Sequence, residues 1–107
     1  MLLPLLGLLL GVLGGLVLNV NVSFEFSRYS AVAIFAALDS VLGAVRAELD
    51  GVYDNRIFVS GFFTNASLAV LLTFVGDRLG IDLYLVALIT FGPRIFQNVA
   101  LIRRHFL

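Results

Sequence analysis

The sequence predicts an all-α fold, a polytopic bundle of transmembrane helices that forms one domain over residues 1–107. Three observations predict it. The chain is 61% hydrophobic with a mean hydropathy of +1.07, whereas soluble domains are about 45–50% apolar. A soluble fold this short could not hide that much apolar surface. The apolar residues also fall into runs near the length of about 20 that a helical span requires. Those runs are continuous, not alternating as barrel strands would be, and only helices satisfy their own backbone groups in lipid.

Four spans are expected. The first covers about 2–20 and carries no charged side chain. It lacks the basic start and small-residue cleavage site of a signal peptide, so it reads as retained. Asn19 and Asn21 end it, and Ser23 to Arg28 reads as a short polar link. The second covers about 29–49 and contains Asp39 and Arg46. Its two charges leave open a tilted or re-entrant segment, which would give three full spans. Glu48, Asp50, Gly51, Asp54, Asn55 and Arg56 make the most polar loop. The third span covers about 57–75, and Gly76-Asp77-Arg78-Leu79-Gly80 reads as a tight turn, because glycine permits positive φ. The fourth covers about 81–102, before Arg103, Arg104 and His105.

Four spans put both termini on one side. With both cytoplasmic, Arg46, Arg56, Arg103 and Arg104 anchor the inner surface, leaving Arg28 and Arg78 outside, as the positive-inside rule prefers. The expected location is a bacterial cytoplasmic membrane.

Polar residues inside apolar spans are costly. An Asp at a helix centre costs about 2.5–3.5 kcal/mol on insertion scales. Asp39 must therefore be paired, hydrated or protonated. In the fourth span Thr90, Arg94, Gln97 and Asn98 recur at i, i+4, i+7 and i+8, a polar stripe on one helix face. Asp39 and Arg94 each lie ten residues after a Tyr that opens its span, Tyr29 and Tyr84. Similar depth makes Arg94 the natural counter-ion of Asp39. The pair reads equally as a structural register device or as an ion- or proton-responsive site. Pro93, just before Arg94, frees a backbone carbonyl. Asn65 is expected to join Gln97 and Asn98 in a polar core, while Ser60, Thr64 and Ser67 suit helix packing. Arg46 sits near a helix end, where its long side chain can snorkel.

Gly7, Gly11 and Gly15 share one face of the first span, widened by Gly14. Such faces let helix backbones approach closely. The face could pack within the chain or against a partner.

Several functions are excluded by residue type. There is no Cys, so thiolate sites and disulfides are absent. One His cannot build a zinc site, and no metal or cofactor is expected. No basic stripe exists for nucleic acid to follow. A Ser–His pair, a second buried Asp and a Gly-rich phosphate loop are all missing, so no enzyme is predicted.

Several stretches carry a family resemblance: Ala36-Ala37-Leu38-Asp39, Gly43-Ala44-Val45-Arg46-Ala47, Gly51-Val52-Tyr53-Asp54 and Phe58-Val59-Ser60-Gly61-Phe62-Phe63-Thr64-Asn65. Leu79-Gly80-Ile81-Asp82-Leu83-Tyr84-Leu85, Phe91-Gly92-Pro93-Arg94-Ile95-Phe96-Gln97-Asn98 and Ile102-Arg103-Arg104 extend it. Together they resemble the bacterial "small basic protein" family, most densely from Ala36 to Arg104. The resemblance implies a multi-pass membrane protein of a family commonly encoded beside cell-division genes. Relatives often carry a basic tail, whereas this chain is formally neutral, so a role resting on such a tail is not implied. Two functions are expected as alternatives. One is a non-enzymatic scaffold or accessory subunit, self-associating or bound to other membrane proteins. The other is a small oligomeric ion or solute channel lined by Asp39, Arg94, Gln97, Asn98 and Asn65.

Overall fold

The computed structural model describes residues 2–18 and 24–107. Among them run four helices: α1 (Leu2–Leu18), α2 (Phe24–Leu49), α3 (Asn55–Leu79) and α4 (Leu83–Phe106). No strand occurs among the described residues. Asn19 and Asn21, expected to end the first span, lie outside them.

Three helices, α2, α3 and α4, are long and apolar enough to cross a membrane. At about 1.5 Å rise per residue, each exceeds the hydrocarbon thickness of about 30 Å. The 44 Å long axis of the molecule matches a whole bilayer with its headgroups, about 40–45 Å. The second span, where Asp39 and Arg46 left room for a re-entrant segment, is one of these three. Helix α1 is described over 17 residues, the lower end of the spanning range of about 17–25.

Three boundaries differ from the sequence reading, one of them the end of α4, which runs through Arg103, Arg104 and His105 to Phe106. Residues 24–28 are not a link but the first turns of α2. The polar residues there are tolerated because a 26-residue helix projects beyond the hydrocarbon. Likewise α3 continues through the predicted turn to Leu79. Gly80 ends it in the left-handed conformation (φ 72°, ψ 25°), with its N–H donated to the Gly76 carbonyl. At the other end of α3, Asp54 caps the helix and accepts a hydrogen bond from the Arg56 N–H at 2.8 Å. Pro93 lies inside α4 without ending it.

Packing follows the small residues. The core is Val32, Ala36, Ala69, Ala87 and Phe91, with Phe35, Ala66, Leu72, Tyr84 and Leu88 against it. Alanines let backbones approach where lipid provides no hydrophobic drive. Helix α2 packs along both α3 and α4, whereas α1 touches α2 only lightly. The outward faces carry large exposed apolar side chains such as Phe63, Leu71, Ile89 and Phe96, which suits a lipid solvent.

Gly76 and Gly80 serve different ends. Gly80 supplies a positive φ. Gly76 is buried and helical, and a Cβ on it would meet the Ile81 carbonyl oxygen at 2.6 Å and Leu83 Cβ at 2.8 Å. Gly76→Ala is expected to destabilise the α3–α4 hairpin by about 1–3 kcal/mol, measured by denaturant unfolding in mixed micelles. Gly92→Ala, with nothing within 4 Å of the added Cβ, should cost nothing in the same assay and stabilise α4 by up to about 1 kcal/mol.

Candidate functional site

Asp39 lies near the middle of α2 and is only 2% exposed. Arg94 lies near the middle of α4, which runs parallel to α2 because α3 returns between them. Arg94 Nη2 stands 3.1 Å from Asp39 Oδ2. The pair is lopsided: the carboxylate side chain is 1% exposed and the guanidinium side chain 54%. Asp39 Oδ1 is buried and accepts no hydrogen bond from the protein.

Two polar cavities meet at Arg94. A cleft of about 190 Å³ runs between α2 and α3, with Asp39, Ser40, Asn65 and Arg94 in its walls and Tyr53 and Asp54 at its loop end. A second cavity of about 380 Å³ lies between α2 and α4, lined by Arg46, Asp50, Arg94, Gln97 and Asn98. The five residues expected to share one polar core are thus divided. Asn65 faces the α2–α3 cleft, Gln97 and Asn98 the α2–α4 cavity, and Arg94 both. In the second cavity Arg46 Nη1 donates to Asn98 Oδ1 at 3.4 Å, and Arg46 Nε lies 4.0 Å from Asp50 Oδ2. Asn98 is buried and Gln97 exposed.

Arg56, Arg103 and Arg104 are exposed at the bundle end that holds the Asp50–Asp54 loop. At that loop, burial and the nearby Glu48 and Asp54 carboxylates raise the Tyr53 hydroxyl above its ordinary pKa. It stays protonated and donates to Asn55 Oδ1 at 2.6 Å. Among the described residues, the hydroxyls of the α3 stripe make no hydrogen bond to another helix. Ser60 donates to the Ile57 carbonyl at 3.2 Å within its own helix.

Sequence reasoning missed the cluster at the opposite end. Arg28 Nη2 lies 2.7 Å from Asp77 Oδ1, and Nη1 lies 3.7 Å from Asp82 Oδ1. Tyr29 donates to Asp77 Oδ2 at 2.7 Å, and the Arg28 guanidinium sits over the Tyr84 ring, 5.8 Å from its centre. One arginine thus joins α2, the end of α3 and the start of α4. A signal was present: span alternation puts Arg28 on the same side as Asp77 and Asp82.

The glycine face of α1 stands open. A Cβ added at Gly7, Gly11, Gly14 or Gly15 would find nothing within 4 Å. Gly7 and Gly11 border an apolar cavity of about 590 Å³ between α1 and the α2–α3 pair, walled by Ile34, Leu38 and Phe62 among others. Among the described residues no three His, Asp or Glu side chains gather in a group that could hold a metal ion.

The family described as a protein of unknown function, DUF1290, matches residues 22–107. The small basic protein of Bacillus subtilis (strain 168) is 51% identical over 105 residues, 98% of this chain and 87% of that protein. The chain belongs to this small basic protein family. An uncharacterised protein of Mycobacterium tuberculosis (strain ATCC 25618 / H37Rv) is 38% identical over 100 residues, 92% of this chain and 83% of the relative. No solved structure matches the chain. The family match spans α2, α3 and α4, and so includes both Asp39 and Arg94.

The lopsided burial makes a prediction. Arg94→Gln leaves a buried carboxylate without its cation and should destabilise the bundle by about 3 kcal/mol. Asp39→Asn should cost less, because the freed guanidinium already reaches two polar cavities. The double variant should be more stable than Arg94→Gln alone. Reversible unfolding in bicelles reads all three, and strictly additive losses would contradict the pairing.

Proposed function

We propose that this protein is a non-enzymatic interaction subunit of a bacterial cytoplasmic membrane, docking other membrane helices through α1. The observation that carries the reading is the open glycine face. Glycine in a helix interior costs about 0.8–1.0 kcal/mol relative to alanine, a scale measured in water. Four of them in 17 residues bring no packing return within the chain. Close approach by a partner helix gives them a use. The adjoining apolar cavity supplies depth for the partner's side chains. The partner is a second copy or another membrane protein. The family resemblance favours division or envelope machinery.

With α1 as a fourth span both termini lie at the loop end, and the arginines support that end as the cytoplasmic one. Arg46, Arg56, Arg103 and Arg104 gather at the loop end, while Arg28 at the other end is neutralised by Asp77 and Asp82.

A channel within one chain is disfavoured by the core. Val32, Ala36, Ala69 and Phe91 are at most 7% exposed and lie between the Asp39 cleft and the Arg28 end. An oligomeric channel keeps one supporting observation, the unpartnered Asp39 Oδ1.

Gly11→Leu is expected to abolish assembly. The test is gentle-detergent extraction of the tagged protein from native membranes, with the mass of the complex determined. Leu10→Ala, on an exposed position away from the apolar cavity, should leave assembly intact. A complex of unchanged mass with Gly11→Leu would remove the docking face from the account.

A further inference from the structure

Asp39 Oδ1 is the one buried side-chain oxygen or nitrogen among the described residues that has no hydrogen-bond partner. Its companion Oδ2 already has the Arg94 guanidinium at 3.1 Å, so the positive charge is supplied. The remaining need is a neutral donor. Buried polar atoms that the protein leaves unserved are commonly served by ordered water. Asp39 lines the α2–α3 cleft, whose volume is about 190 Å³, against about 30 Å³ for each water in the liquid.

The cleft offers water several polar partners. Ser40 and Asn65 line it from its two helices, with Arg94 from α4, among apolar side chains such as Ala44, Ile57 and Phe62. Gly61 adds no side chain to the α3 wall, and a Cβ there would touch nothing within 4 Å. The loop residues Val52, Tyr53 and Asp54 form the other end of the lining, where the chain leaves the helices for solvent. In the opposite direction the way is shut. Val32, Ala36, Ala69 and Phe91 pack together, and the hydroxyl of buried Thr73 is already donated to the Ala69 carbonyl at 2.9 Å.

We propose that the α2–α3 cleft is a one-sided water inlet that hydrates Asp39 from the side of the membrane bearing the Asp50–Asp54 loop. Its ligand class is water, and with it hydronium. Asp39 then exchanges protons with that solution alone. The charged or titratable groups facing the space are Arg94 from α4 and, at the mouth, Tyr53 and Asp54; α3 contributes uncharged Asn65. The inlet is independent of the α1 docking face, whose glycines border a different, apolar cavity.

The sequence contains no cysteine, so single cysteines can be read without background. Ser40→Cys and Gly61→Cys test the inlet, Val52→Cys marks its mouth, and Ile89→Cys, 70% exposed on α4, marks the lipid face. Each variant is sealed into liposomes and treated with a charged, impermeant methanethiosulfonate from either side. Ser40→Cys and Gly61→Cys should react from the loop side within ~10-fold of Val52→Cys, and from the other side no faster than Ile89→Cys, because the hydrocarbon excludes water. Inert Ser40→Cys and Gly61→Cys beside a reactive Val52→Cys would overturn the proposal, as a dry cleft. Equal labelling from both sides would overturn it too, as a through-going path. Should the variants misfold, the unmodified chain gives the same answer. Magnetisation transfer from water to the Asp39 carboxyl carbon in bilayers should be as fast as to Asp54, and transfer as slow as to core Ala36 would overturn the inlet.

Discussion

Asp39 sits near the centre of a 26-residue helix in a chain whose outer faces are largely apolar, and α4 meets that cost by bringing Arg94 to 3.1 Å. The pairing constrains everything around it. It fixes the register of α4 on α2, since sliding either helix by one turn, about 5.4 Å, breaks the contact. The two helices run parallel because α3 returns between them, which leaves this contact to set their relative height. Small residues make the approach possible: Ala36, Ala69 and Ala87 bring the backbones together.

The molecule is organised as two polar ends around an apolar waist. At one end Arg28 gathers Asp77, Asp82 and Tyr84 in partly exposed contacts, each worth about 0–1 kcal/mol. Their value lies in orienting three helices at once. At the other end the polar groups reach inward to Asp39 and line open space. Between them the waist admits no water, as its buried alanines and Phe91 show. Helix α1 stands apart from both, lightly held and with a bare glycine face.

Much of this was legible in the sequence because lipid reduces the problem to length and polarity. The apolar runs gave the helices, and the span that read as doubtful, with Asp39 and Arg46, is a full helix because its charges have partners that a run of hydropathy cannot show. The matched spacing from Tyr29 to Asp39 and from Tyr84 to Arg94 placed two charges at one depth. What resisted reading depends on close tertiary approach. Gly76 resembled a turn glycine, yet its role is to let Ile81 and Leu83 fold back against α3. Asn65 shared a depth with Arg94 but faces a different cavity from Gln97 and Asn98, because α2 stands between them. Arg28 read as part of a link, since its acidic partners lie 49 and 54 residues away.

The central claim is that the Asp39 carboxylate and the Arg94 guanidinium are in contact inside the bilayer. Solid-state magnetic resonance on the wild-type chain in native-like lipid measures this directly, through the dipolar coupling between the Asp39 carboxyl carbon and the Arg94 guanidinium nitrogens. A strong coupling, as the 3.1 Å nitrogen–oxygen contact demands, is the predicted result. A folded chain in which that coupling is absent would contradict the account at its root.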